Sequence, residues 1–215
     1  MDTLKYILEK YNLTYAPRHI QMAPTEIPNM GREQLPSLMN ELGFKVGAEV
    51  GVDSGWYSLS ICKGIPDVEL YCIDAWTMYS QYRDKFTQAK MDAAKQGTIS
   101  KLTKYRTHII DRYSMDAVKG FEDGSLDFVY IDANHELPFV LNDIIEWTKK
   151  VRSGGIVAGH DYYETVGKDS RCHVIPAVMA YTRAYQIVPW FVIGTKAKTP
   201  GVIRDDKRSW MFVKE

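Results

Sequence analysis

The sequence predicts an α/β domain built on a mainly parallel sheet, with helices on both faces and an antiparallel hairpin at the C-terminus. Three observations carry that expectation. Short apolar runs alternate with helix-length segments, as a parallel sheet with crossover helices requires. The short runs are apolar along most of their length, so both faces of the sheet are covered. Several of them end on glycine, acid or histidine: Gly51 and Asp53, Asp74, Asp132, and His160 with Asp161. In such sheets ligands lie beyond the carboxyl ends of the strands.

Along the chain, Leu4, Ile7, Leu8 and Tyr11 fall at i, i+3, i+4 and i+7, which predicts an amphipathic helix over 2–11. Pro17, Pro24 and Pro28 make 16–31 an irregular arm. Helical character returns over 35–42, with Pro36 tolerated in the first turn and Gly43 as C-cap. Residues 1–43 are expected to form a helical extension or lid in front of a main domain of 44–215. A strand over 45–52 turns through glycines into a helix from Gly55 to Cys62. A second strand, 68–73, ends on Asp74. A polar helix is expected over 79–102, interrupted at Gly97. A strand at 107–110, a helix at 115–121, a turn at 122–125 and a strand at 126–131 follow. A helix over 139–151 leads through Ser153-Gly154-Gly155 into a strand at 156–158. After a helix over 173–185, residues 190–193 and 210–213 are expected to pair as antiparallel strands.

Composition narrows the partners. The chain has 215 residues, enough for one domain with a sizeable core. Lys plus Arg and Asp plus Glu number 27 each, so no global field favours nucleic acid or a membrane surface. No window approaches the roughly 18 apolar residues of a membrane span, and the N-terminus lacks a secretory pattern. A cytoplasmic setting is expected, with a homo-oligomer left open. Cys62, Cys72 and Cys172 are odd in number and show no CxxC spacing, against a disulfide framework or a structural zinc site. Cys62 and Cys72 read as small buried hydrophobes.

The segment Glu49-Val50-Gly51-Val52-Asp53-Ser54-Gly55 carries the first chemistry. Its glycines let the backbone turn tightly and approach a ligand. It lacks the third glycine of a dinucleotide fingerprint, which disfavours a nicotinamide-dependent oxidoreductase. Nor is there a Lys-Ser/Thr pair for a triphosphate. Glu49 and Asp53 suit a cationic ligand better than a pyrophosphate. Asp74 stands where an acid accepts ribose hydroxyls, although it also fits a helix cap. An acidic glycine loop with a ribose-binding acid fits S-adenosylmethionine.

From about residue 43 to 161 the chain resembles class I S-adenosylmethionine-dependent methyltransferases, which have a Rossmann-like fold. The resemblance implies cofactor contacts by Gly51 and Gly55, with Glu49 helping to hold the amino group; Asp53 is expected at the cofactor for its charge in the same loop. It implies ribose binding by Asp74, with Ala75 and Trp76 bordering adenine. Ile110-Asp111-Arg112-Tyr113-Ser114 resembles the loop that carries Gly-Asp-Ser in many members, with Tyr113 at the acidic position and Ser114 after it. Phe128-Val129-Tyr130-Ile131-Asp132-Ala133-Asn134-His135 and Gly154-Gly155-Ile156-Val157-Ala158-Gly159-His160-Asp161 resemble small-molecule O-methyltransferases of the catechol and macrolide-sugar types. There, acids matching Asp132 and Asp161 ligate magnesium, and a base three residues after the first acid deprotonates the acceptor hydroxyl. His135 falls at that offset. Tyr162 replaces the asparagine of one type and His160 the acid of the other, so the magnesium set departs from both patterns.

An imidazole with a pKa near ~6.5 suits proton removal from an alcohol at neutral pH, and a metal on carboxylates would lower the alcohol's own pKa. His135 also fits a helix cap, His160 a structural role, and Asp143 a surface or supporting one. Acceptor contacts are expected from the N-terminal arm, from 77–82, and from Tyr162-Tyr163, whose rings can stack. The expected activity is methyl transfer to a hydroxyl of a small molecule. N-methyl transfer and a non-catalytic adenosylmethionine-binding module are the alternatives.

Overall fold

The computed structural model describes residues 2–14, 23–78, 87–164, 172–195 and 200–215. The N-terminal part holds α1 (Thr3–Lys10), β1 (Thr25–Ile27) and α2 (Leu35–Glu41). The alternating part runs β2 (Val46–Val50), α3 (Trp56–Gly64), β3 (Glu69–Asp74), α4 (Gln88–Leu102), β4 (Thr107–Asp111), α5 (Ser114–Ala117), β5 (Leu126–Ile131), α6 (Leu137–Lys150) and β6 (Val151–Gly159). It closes with α7 (Val174–Ala184), β7 (Phe191–Ile193) and β8 (Ser209–Val213). No described helix is long and apolar enough to cross a membrane.

The strands form one sheet in the order β1-β7-β8-β6-β5-β2-β3-β4. Among the described strands only β8 runs against the rest, pairing antiparallel with both β6 and β7. That is the expected hairpin, wedged so that β7 lies outside β8. Both faces are covered, as apolar strands demand. Phe128 and Tyr130 of β5 pack with α2 and α3 residues such as Leu38 and Ile61. Their neighbours Val129 and Ile131 point the other way, toward Ile144 and Trp147 of α6 and Val178 of α7. Cys62 and Cys72 are buried free thiols.

The chain departs from the sequence expectation at four places. The arm over 16–31 is not wholly irregular: Thr25–Ile27 forms an edge strand parallel to β7. Pro24 and Pro28 flank it and keep it too short to show a period. Gly97 does not interrupt α4, which runs through it with Thr98 and Leu102 buried. A helical glycine costs only about 1 kcal/mol relative to alanine, which that packing outweighs. Residues 79–86 of the expected helix, with most of the acceptor segment 77–82, lie outside the described residues, as do 16–22 of the arm. β6 begins at Val151, so Ser153-Gly154-Gly155 lies inside a strand. The register against β5 shifts between Leu126 and Phe128 there, and Gly154 takes φ +73°. Finally, α6 starts two residues before the expected 139, with Pro138 in its first turn.

One topological fact positions the site. From β2 the chain winds outward to β3 and β4, then returns to place β5 on the other side of β2. The carboxyl ends of β2 and β5 therefore flank a switch point, where an open α/β sheet leaves a crevice for a ligand.

Candidate active site

The loop after β2 is held open by backbone conformations that L-residues seldom adopt. Gly51 takes φ +91°, Asp53 +49° and Gly55 +74°. A Cβ on Gly51 would lie 2.2 Å from the Asp132 carbonyl oxygen, so glycine alone lets this loop meet the chain after β5. Asp74, at the end of β3, braces the loop. Its Oδ2 accepts the N–H groups of Val52 (3.0 Å) and Asp53 (2.9 Å), and its Oδ1 that of Trp76 (2.9 Å). Burial pushes the Asp74 carboxyl up, against those three backbone bonds.

Trp76, expected to border adenine, lies just after β3. Its side chain is buried, and its indole N–H donates to the Asp53 carbonyl at 2.7 Å. It supports the loop from below. Ala75 is half-buried beside it. Glu49, within β2, is fully enclosed and accepts a hydrogen bond from Ser58 of α3. Burial pushes its carboxyl up to about 8, with Asp132 and Asp74 adding like charge and Ser58 and Arg32 opposing. Tyr113 is exposed at the start of α5. Ser114 turns inward: its hydroxyl donates to Asp143 and accepts from the Trp147 indole at 2.8 Å. Asp143 is therefore not a surface residue. It is buried on α6, and burial pushes its carboxyl up to about 7.

Across the crevice, the ends of β5 and β6 bring together Asp132, His135, His160 and Asp161. His135 Nε2 lies 2.9 Å from Asp161 Oδ2 and 3.4 Å from Asp132 Oδ1. His160 Nδ1 lies 3.5 Å from Asp161 Oδ2 and 3.7 Å from Asp132 Oδ2. Asp161 sits at φ +57°, a strained position of the kind that collects at functional sites. Burial opposes charge on His135, but the hydrogen bonds to Asp132 and Asp161 outweigh it and lift its pKa to about 10. Burial likewise opposes charge on Asp161, yet His135 and His160 hold its carboxyl well below the usual range. As arranged, His135 is a donor bridging two carboxylates.

The cluster fits a divalent cation. Among the described residues, Asp132, His135 and Asp161 each offer a ligand atom, all within 4.8 Å of one another. Asp161 Oδ1 is buried without a hydrogen-bond partner among the described residues, with Lys207 Nζ at 3.6 Å. Two carboxylate oxygens with an imidazole nitrogen suit magnesium less well than a softer ion such as manganese or zinc.

A profile describing a methyltransferase domain matches residues 48–162, just over half the chain. The chain belongs to that methyltransferase family. No curated protein matches it in sequence. Solved structures share the fold of this methyltransferase at low identity. A candidate O-methyltransferase from Klebsiella pneumoniae superposes with a TM-score of 0.61 at 16% identity, over 100% of this chain and 91% of its own. TomG, an O-methyltransferase of tomaymycin synthesis from Streptomyces achromogenes, was solved with SAM; it gives 0.57 at 16% identity, over 100% and 91%. A candidate caffeoyl-CoA O-methyltransferase from Staphylococcus aureus gives 0.58 at 14%, over 98% and 90%.

One site residue escaped the sequence reading. Arg32, in the short turn before α2, reaches the switch point of the methyltransferase domain and places Nη2 2.7 Å from Asp132 Oδ2. Its Nη1 lies 3.5 Å from His160 Nδ1. Its guanidinium carbon sits 4.1 Å from the Tyr57 ring centroid and 5.2 Å from that of Tyr130. No local motif marks it. The only signal was an arginine beside apolar Met30 and Leu35, which pack into the core.

Proposed function

We propose that this methyltransferase moves the methyl group of S-adenosylmethionine to a hydroxyl oxygen of a small-molecule acceptor. The observation that carries the reading is the meeting, at one switch point, of the left-handed loop over Gly51, Asp53 and Gly55 with the Asp132–His135–Asp161 cluster. The loop, with Glu49 and Asp74, suits a cationic nucleoside. The cluster suits an acceptor that must lose a proton.

In this reading Gly51 and Gly55 let the backbone approach the cofactor, and Glu49 faces its amino group. Asp74 keeps lone pairs beyond its three backbone bonds for the ribose hydroxyls. Ala75, Tyr113 and Ser114 border the base, with Trp76 bracing the loop. Methyl transfer forms an O–C bond as the S–C bond breaks in line with it, so holding the oxygen in place supplies much of the acceleration. Asp132 orients the acceptor and His135, in its neutral form, takes the hydroxyl proton. A positive sulfonium nearby opposes a second positive charge and so favours that neutral form. Asp132 and Asp161, with His135 in reach, would hold magnesium or a softer divalent ion; bound there, the metal supplies Lewis acidity to the acceptor oxygen. The neutral charge balance leaves nucleic acid disfavoured as the acceptor.

A methyl-transfer screen over hydroxylated and amine-bearing small molecules, with and without chelator, tests this. Methylated hydroxyl products support the reading. Products methylated only on nitrogen would overturn the hydroxyl assignment, and unchanged turnover under chelation would remove the metal.

A further inference from the structure

We propose that Arg32 is the anchor for the carboxylate of the cofactor's amino-acid end. The inference rests on adenosylmethionine being the cofactor. The methionyl end of that molecule is a zwitterion, with an ammonium and a carboxylate on one carbon. A buried pocket that offers only an acid would pair the ammonium and leave the carboxylate stranded. Glu49 is the enclosed acid. Arg32 is the cation that the fold brings to the same place.

Three observations support the pairing. First, Arg32 and Glu49 converge on one helix turn. Tyr57 of α3 lies under the Arg32 guanidinium at 4.1 Å, and the next residue, Ser58, hydrogen-bonds Glu49. The Tyr130 ring, 4.3 Å from that of Tyr57, completes the wall. Second, Arg32 has donors to spare. Its contact with Asp132 uses Nη2 and that with His160 uses Nη1, while Nε is buried with no hydrogen-bond partner among the described residues. A guanidinium presents its donors as a fork that matches a carboxylate. Third, the arginine is held in place. The Tyr57 hydroxyl donates to its carbonyl at 3.2 Å, and the neighbouring Glu33 accepts from Ser60. Just before it, Gly31 donates to Gln34 Oε1 at 3.0 Å, and a Cβ there would lie 2.8 Å from Ile203.

The competing role is charge balance alone, with Arg32 present only to offset Asp132. The two differ in whether Arg32 senses a carboxylate on the ligand. The test is calorimetric titration of the full chain and its Arg32→Ala and Arg32→Lys variants with S-adenosylhomocysteine and with its decarboxylated analogue. Thermal unfolding runs in parallel to confirm that the variants fold. The wild-type chain should bind adenosylhomocysteine about tenfold or more tighter than the analogue, as a charge-assisted contact implies. Arg32→Ala should lose that preference by weakening adenosylhomocysteine alone, and Arg32→Lys should keep part of it. Equal weakening of both ligands, or of neither, would overturn the assignment while leaving the cofactor intact. If the wild-type chain binds neither ligand, the cofactor reading itself has failed and takes the assignment with it.

Discussion

At the end of β3 the acidic side chain, Asp74, bonds to backbone, whereas at the ends of β5 and β6 the acids bond to other side chains. Asp74 accepts three main-chain N–H groups and fixes the shape of one loop. Asp132 and Asp161 are met by Arg32, His135 and His160. The first arrangement is local and rigid, and it suits an invariant ligand bound the same way in every cycle. The second is a set of exchangeable ion pairs that an acceptor, a proton or a metal can rearrange. The lesson is a division of labour across the switch point: geometry on the donor side, charge on the acceptor side.

That division sets the order of expected effects. His135→Ala should lower kcat by roughly 10²–10⁴-fold, the range of a positioned general base, while adenosylhomocysteine affinity stays within about threefold. Steady-state turnover alongside calorimetry reads both. Asp74→Ala should act the other way, leaving three backbone donors without their acceptor. It should destabilise the fold by roughly 3 kcal/mol in urea titration and weaken cofactor binding. A variant that keeps full stability would contradict the bracing role given to Asp74.

Asp143, like Glu49, sharpens the contrast: it is a buried carboxylate paired with a neutral serine hydroxyl rather than with a cation. Its folded pKa, about 7, lies above the ordinary 3.8, so the native state holds a proton that the unfolded state has released over that interval. Stability should therefore fall as pH rises from about 4 to about 7, and stay low above it. Asp143→Asn, which keeps an acceptor for Ser114, should flatten that slope, a difference on the order of 2 kcal/mol at pH 8. Denaturant midpoints at pH 5 and pH 8 measure it; parallel pH profiles for the two proteins would show that Asp143 is not the group responsible.

How much of this was legible in the sequence follows the same line. The donor side was readable because its signals are local: glycines at fixed spacing after an apolar strand, and an acid at the next strand end. Asp132 and Asp161 were readable because each stands just after a strand, and His135 because the resemblance implies a base three residues after the first acid. Their partners were not. Arg32 is a hundred residues from Asp132 in the chain and meets it only because β1 and α2 dock against the domain. The indole of Trp76 turning onto the Asp53 carbonyl and the burial of Asp143 against Ser114 were not legible for a related reason, since residue type and position do not say which way a side chain turns. β1 and the first half of β6 were missed because flanking prolines and an internal glycine bulge erased the usual strand pattern.

The measurement that tests the account most directly is calorimetric titration of S-adenosylhomocysteine into the wild-type, Asp74→Ala and His135→Ala proteins under one set of conditions. The account predicts binding to the wild type, near-equal affinity for His135→Ala, and a clear loss for Asp74→Ala. Equal losses in both variants, or no binding by the wild type, would contradict it.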